Sequence, residues 1–348
     1  MAEPRQTRWD TGGFRKVSVV GAGAWGTALA WYLAEAGYPV SLWAYEREVA
    51  EAIRTKSENT IFLPGVRLSG AIAATNTLGE ALDGTELIVF TVPSHVARSV
   101  LVQMAPLLSR PVPMVSATKG IEEATLKLMT QVMEEVLPAG CGRLLTVLSG
   151  PSFALEVCQG RPTVVSLAGR NPDLVERLQA HLIRPRFRIY RTADVVGVQL
   201  GGALKNVMAV AAGVVDGLGL GYNARAALIT RGLAEMIALG APMGADPRTF
   251  YGPSGLGDLV LTCTGPLSRN YAVGVRLGKG HTLDQILNDT RAVAEGVRTS
   301  RAAMGLADRY RVEMPIVREV CAVLFEKKPP LKAVTDLMER AAKPETGE

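Results

Sequence analysis

Lys205 has the least hospitable surroundings of any residue able to do chemistry, being the one charged side chain in the apolar run 195–215, with Asn206 beside it. Burial lowers a lysine pKa because the charged form loses hydration, and a second cation nearby lowers it further, so such an amine exchanges protons near neutral pH. A lysine that lays its stem along the helix and keeps its ammonium in water is the competing reading, and the adjacent amide favours a site. Gly201 and Gly202, about one turn earlier, are expected to leave space for a ligand to reach the helix. Lys119, in Ser116-Ala117-Thr118-Lys119-Gly120, follows an apolar strand-like run, which is where ligands bind in open α/β sheets; an exposed loop lysine is the alternative. Asp258, in Gly255-Leu256-Gly257-Asp258-Leu259, and Arg269-Asn270, after Ser268, add an acid, a cation and an amide on short turns beside helices. Arg269 suits an anion such as a phosphate through paired N–H donors, and Asp258 suits a lysine ammonium, although isolated surface Arg and Asp are common.

A second constellation lies near the start. Gly21-Ala22-Gly23-Ala24-Trp25-Gly26 follows the strand-like run 16–20 and opens a helical pattern. In that context the three glycines make a tight turn, let backbone approach a pyrophosphate and allow the helix to close on the strand. The helix N-terminus then offers free N–H groups to phosphate. A glycine-rich structural turn is the bland reading, and a methyltransferase loop usually lacks the third glycine. At the end of the second strand-like run come Tyr45, Glu46 and Arg47. Glu46 suits a ribose 2′-hydroxyl and Arg47 a 2′-phosphate, or either caps the following helix. NADH and NADPH both remain open, with Arg47 inclining the reading to NADPH.

The elements that must position these groups alternate. Strand-like runs at 16–20, 40–43, 87–92, 113–117, 144–149 and 163–168 are separated by helical patterns such as 24–36, 96–108 and 124–136. Several runs are apolar throughout, as strands covered on both faces require. This is the pattern of a doubly wound, mainly parallel α/β sheet. Beyond Asp194 only helical patterns follow, at 197–215, 224–241, 268–277, 302–310 and 316–325. The chain therefore reads as a dinucleotide-binding Rossmann domain over 1–194 and an all-helical substrate domain over 195–348, with polar tails at 1–14 and 343–348.

With 348 residues, 48% of them hydrophobic, the chain is long enough for two cores. A net charge of +5 with scattered Lys and Arg, and only 5% aromatic residues, gives no nucleic-acid footprint. Cys141, Cys158, Cys263 and Cys321 form no CxxC pair, and His95, His181 and His281 stand alone, so no metal site and no disulfide framework are expected. No signal peptide is read in the polar start, and Lys205 with the following Asp216 argues against a membrane span. A cytoplasmic location is expected.

Taken together these stretches resemble the bacterial NAD(P)-dependent glycerol-3-phosphate dehydrogenase family over most of the chain. The blocks that carry the resemblance are the glycine motif, Val92-Pro93-Ser94-His95, Ala117-Thr118-Lys119-Gly120, Ser149-Gly150-Pro151-Ser152-Phe153-Ala154, the run from Gly197 to Val207, Gly255 to Leu259, and Ser268-Arg269-Asn270. The resemblance implies Lys205 as the proton-transfer residue, with Lys119, Gly150, Ser152, Asp258, Ser268, Arg269 and Asn270 around the substrate. It implies Ala24, Trp25, Tyr45, Lys119, Ala154, Arg269, Val293 and Glu295 along the cofactor. The family more often has serine at Ala24 and histidine or arginine at Tyr45. The implied reaction is hydride transfer between NADH or NADPH and dihydroxyacetone phosphate, giving sn-glycerol 3-phosphate for phospholipid synthesis. A homodimer is possible. A hydroxyacid or sugar-acid dehydrogenase is the nearest rival, and a nicotinamide-sensing regulator, which would not need Lys205, is the more distant one.

Overall fold

The computed structural model describes residues 13–289, 294–342 and 344. Among the described residues ten strands appear in chain order: β1 Val17–Val20, β2 Val40–Trp43, β3 Glu58–Asn59, β4 Leu63–Arg67, β5 Ile72–Thr75, β6 Leu87–Phe90, β7 Met114–Ser116, β8 Leu145–Ser149, β9 Thr163–Gly169 and β10 Phe187–Thr192. Eight form one sheet in the order β10-β9-β8-β7-β6-β1-β2-β5, while β3 and β4 make a separate hairpin. Pairing is parallel from β5 across to β8 and antiparallel between β8 and β9, so β9 and β10 run opposite to the rest. β1, β2, β6 and β8 are buried at every residue, because helices α1 Ala24–Glu35, α2 Arg47–Lys56, α3 Leu78–Leu82, α4 Ser94–Met104, α5 Met129–Val136, α6 Ala154–Cys158 and α7 Pro172–Leu182 accompany the sheet.

The mainly parallel sheet and the Rossmann order of its first strands agree with the sequence reading, and three details differ. The helix expected from Ala124 begins only at Met129. Residues 121–128 instead form a turn closed by the bridge between Ile121 and Leu128, with Leu126 in the left-handed region at φ 61°, a conformation no helix accommodates. β5 and the β3–β4 hairpin have no counterpart among the expected strand-like runs. β10 is an edge strand whose buried Phe187 and Ile189 alternate with exposed Arg188 and Tyr190, a period-two pattern the sequence carried.

From Val195 onward the secondary structure of the described residues is helical: α8 Val195–Gly217, α9 Gly221–Gly240, α10 Asp258–Thr264, α11 Arg269–Gly278, α12 Leu283–Asn288, α13 Glu295–Tyr310, α14 Pro315–Phe325 and α15 Pro330–Met338. Asp194 starts α8 by accepting from the Gly197 amide at 2.8 Å, satisfying one of the free donors of the first turn. Twenty of its residues, from Val195 to Val215, are buried. By length and composition α8 and the segment Gly221–Met243 are both apolar enough to cross a membrane, but 94% of the α8 window is buried inside the protein against 33% of the second. α8 is thus a core helix wrapped by its own chain. α11 lies against it at backbone contact: a Cβ on Gly274 would stand 2.0 Å from the Val210 carbonyl, and one on Gly213 would stand 2.1 Å from the Tyr271 carbonyl. This crossing fixes the start of α11 relative to Lys205.

Candidate active site

Lys205, in the middle of α8, is 7% exposed. Its Nζ donates to Asp258 Oδ1 at 2.5 Å and to Thr262 Oγ1 at 2.9 Å. Asp258, fully buried, heads α10 directly after a π-helical turn at Pro253–Gly257. Its second oxygen accepts from Lys119 Nζ at 2.7 Å, so one carboxylate joins a lysine from the helical part to a lysine from the loop after β7. Lys119 also donates to the Gly150 carbonyl at 3.0 Å, in the loop after β8. The Lys205 ammonium is pushed down to about 8: burial lowers it most, Asp258 opposes, and the Lys119 charge lowers it further. The expected pairing of Asp258 with a lysine is present, and with both lysines at once.

Thr262 was missed in the sequence. It lies four residues after Asp258 on the same helix face, where its hydroxyl donates to the Asp258 carbonyl at 2.6 Å and accepts from Lys205. That spacing from Asp258 was the available signal. The space expected beside Gly201 and Gly202 is not open to a ligand. A Cβ on Gly201 would meet the Ser254 carbonyl at 2.4 Å, and one on Gly202 would meet Ser149 Oγ at 2.5 Å, so those glycines let protein, rather than a ligand, approach α8.

The remaining substrate candidates converge on helix starts. Ser268 is the N-cap of α11, its hydroxyl accepting from the Tyr271 amide. Asn270 donates to Asn206 Oδ1 at 2.9 Å and accepts from the Gly296 amide at 2.9 Å, and Asn206 donates to the Lys119 carbonyl at 3.3 Å. This amide chain ties the Lys119 loop, α8, α11 and α13 together. Ser152 donates to the Gly150 carbonyl at 2.9 Å. Arg269 retains accessible surface, yet desolvation lowers its pKa, with Glu295 opposing; accessible area without bulk hydration describes a concave setting. Glu295 accepts from the Ser94 amide at 2.9 Å and the Ser94 hydroxyl at 2.5 Å. Burial pushes its carboxyl up, and the Ser94 donors and Arg269 pull it down.

The glycine motif forms the other wall. Gly21 has φ +110°, and a Cβ on Gly26 would lie 1.9 Å from the Gly21 carbonyl, so helix and turn close only with glycines there. Gly23 has nothing within 4 Å of where its Cβ would be, and as N-cap of α1 it brings no side-chain cap. Open backbone at an uncapped helix start, with Trp25 Nε1 buried and unpartnered, fits a pyrophosphate-bearing cofactor. Lys119 Nζ lies 5.9 Å from the Trp25 ring centre, which links this wall to the lysines. Ala24 and Ala154 open α1 and α6, two helices that pack on each other. Tyr45, 77% exposed, Glu46 and Arg47 stand at the far end beyond β2, with Glu46 at the N-cap of α2 but contributing no side-chain cap. Val293 lies outside the described residues.

Residues 194–335 match the family model described as NAD-dependent glycerol-3-phosphate dehydrogenase C-terminus, and residues 16–175 the one described as its N-terminus. The chain belongs to this family. It is 54% identical over 332 residues to a glycerol-3-phosphate dehydrogenase (NAD(P)+) of Geobacter metallireducens, covering 95% of this chain and 99% of that one. It is also 54% identical to the protein of the same name in Geobacter sulfurreducens, over 95% and 98% of the two chains. The crystal structure of glycerol-3-phosphate dehydrogenase from Coxiella burnetii superposes with a TM-score of 0.90 at 38% identity, over 94% of this chain and 99% of that one.

The shared carboxylate leads to a direct expectation. Asp258→Asn removes the group that holds the Lys205 pKa up and leaves Lys119 pushing it down, so the Lys205 titration moves from about 8 to lower pH. Side-chain NMR titration of Lys205 reads this, and an unmoved or raised midpoint would show that Asp258 does not govern the amine.

Proposed function

We propose that this chain reduces dihydroxyacetone phosphate to sn-glycerol 3-phosphate with NADH or NADPH, and that 1–194 serves as the cofactor half and 195–348 as the substrate half. The observation that carries the reading is the Lys205 ammonium, buried on α8 and held by Asp258 next to Lys119 at the carboxyl edge of the sheet. Gly21, Gly23, Gly26, Ala24, Trp25 and Ala154 would hold the cofactor together with Lys119, Arg269, Val293 and Glu295. When bound, the reduced nicotinamide would supply the hydride for C2 of the substrate. As charge grows on the C2 oxygen, Lys205 stabilises it and delivers its proton, so ketone, hydride and proton sum to the secondary alcohol. In the reverse direction neutral Lys205 takes the hydroxyl proton. Lys119 and Asp258 keep the amine placed, and Arg269 and Asn270 take the phosphate.

The lowered Lys205 pKa sets the pH dependence. Reduction needs the ammonium form, so it declines as pH rises through about 8, while oxidation, which needs the amine, gains over the same range. Lys205→Ala is expected to lower kcat by about 10²-fold or more and to leave NADH binding, read by fluorescence quenching, in place. Near wild-type turnover in that variant would reject the assignment.

Arg47, exposed at the start of α2, supports use of NADPH through attraction to the 2′-phosphate. Arg47→Glu is then expected to lower the ratio of NADPH to NADH efficiency by about tenfold, on the scale of one charge-assisted contact. An unchanged ratio would remove Arg47 from cofactor choice.

The free and mostly buried cysteines support a reducing, cytoplasmic setting, and the product suits phospholipid synthesis. The small-molecule reading leaves no role for nucleic acid. A homodimer is supported by α9, whose Ala226, Ala227 and Ala238 are exposed while Leu228, Ile229, Leu233 and Ile237 are only half-buried. Sedimentation is expected to give a dimer that Ala227→Glu weakens; a monomeric wild-type protein would contradict this.

A further inference from the structure

Arg269 and Glu295 open two helices whose starts are clasped together, since the residues that follow them, Asn270 and Gly296, share the 2.9 Å hydrogen bond to the Gly296 amide. A guanidinium and a carboxylate in such proximity ordinarily close into a bidentate pair. Here they do not. Both Glu295 oxygens are turned to Ser94, one to its amide and one to its hydroxyl, and Arg269 has no hydrogen bond or ion pair among the described residues. Ser94 is 2% exposed, and its hydroxyl donates only to Glu295. The pair sits tightly against the lysine loop: a Cβ on Gly120 would stand 2.4 Å from Ser94 Oγ and 2.8 Å from Glu295 Oε2. Ser94 is also the first residue of α4, so the Glu295 charge rests on a helix N-terminus that favours an anion.

We infer that Ser94 is a positioning residue: by occupying both oxygens of Glu295 it keeps that carboxylate off Arg269 and leaves the guanidinium free for the phosphate of the substrate. This rests on the reading that Arg269 takes the phosphate. Without the Ser94 hydroxyl, Glu295 Oε2 loses its donor and turns to Arg269, which with Arg298 is one of the two cations whose charge it feels, and the phosphate must then displace a carboxylate to bind. The consequence is a weaker hold on phosphorylated substrate, with the proton-transfer group untouched.

The experiment is a double-mutant cycle in steady-state kinetics. Ser94→Ala is expected to raise KM for dihydroxyacetone phosphate roughly fivefold, on the scale of one charge-assisted contact, with a smaller change in kcat. Ser94→Thr, which keeps the hydroxyl, retains the wild-type KM. In an E295Q background, where no carboxylate can compete, adding Ser94→Ala leaves KM for dihydroxyacetone phosphate where E295Q alone puts it. The inhibition constant of inorganic phosphate should rise in Ser94→Ala in parallel with KM. A wild-type KM in Ser94→Ala, or an equal rise in the E295Q background, overturns the role of Ser94. Arg269→Ala separates the two layers: it should raise KM for dihydroxyacetone phosphate far more than for dihydroxyacetone. Equal losses on both would instead sink the phosphate reading of Arg269, and the Ser94 inference with it.

Discussion

The Asp258 carboxylate, excluded from solvent and shared between two ammonium groups, is the constraint on which the site is built. A charge taken out of water is tolerated only with partners at close range, and stripping one partner from a buried pair costs about 3–5 kcal/mol. The three groups therefore specify one another's positions. Lys119 comes from a loop at the edge of the sheet, Lys205 from the core helix and Asp258 from the turn that follows it by more than fifty residues. Because none is stable there alone, the sheet and the helices must meet in one arrangement for all three to be satisfied. The same arrangement gives the amine its chemistry, since the desolvation that makes Asp258 necessary is also what brings Lys205 toward neutrality.

The packing around this cluster is correspondingly unforgiving. α8 is buried along most of its length, and α11 crosses it at backbone contact through Gly213 and Gly274. With side chains absent at the crossing, the separation of the helices is set by main-chain atoms, which cannot relax by changing rotamer. Arg269 and Asn270, at the start of α11, are thereby held in place relative to α8. The amide chain from Lys119 through Asn206 and Asn270 to Gly296 extends that rigidity into α13. The amides of this chain are hydrogen-bonded to one another, so the network holds geometry that loops alone would not.

Much of this was legible before any coordinates. Strict apolar runs such as 87–90 announced strands covered on both faces, and the loss of such runs after Asp194 announced the helical part. The glycine motif was readable because its context, strand then turn then helix, is a local property. The edge strand 187–192 carries a period-two pattern, and within the turn 121–128 the residues from Ala124 on have a composition compatible with helix. Its left-handed Leu126 arises from a bridge between residues 121 and 128 that no propensity encodes.

The sequence by itself determined which residues were chemically out of place: a lysine in an apolar helix, an acid and an arginine on short turns, glycines where a phosphate-bearing group approaches backbone. Those are statements about residue type and near-neighbour spacing, and such information is carried one residue at a time. Only the tertiary structure decided who meets whom. That one carboxylate serves both lysines, that Thr262 completes the amine's shell, that Gly201 and Gly202 make room for protein rather than ligand, and that Ser94 claims Glu295 while Arg269 has no partner among the described residues all depend on contacts between segments far apart in the chain. Burial and charge pairing act through space, and it is the folded packing, not spacing along the chain, that sets those distances.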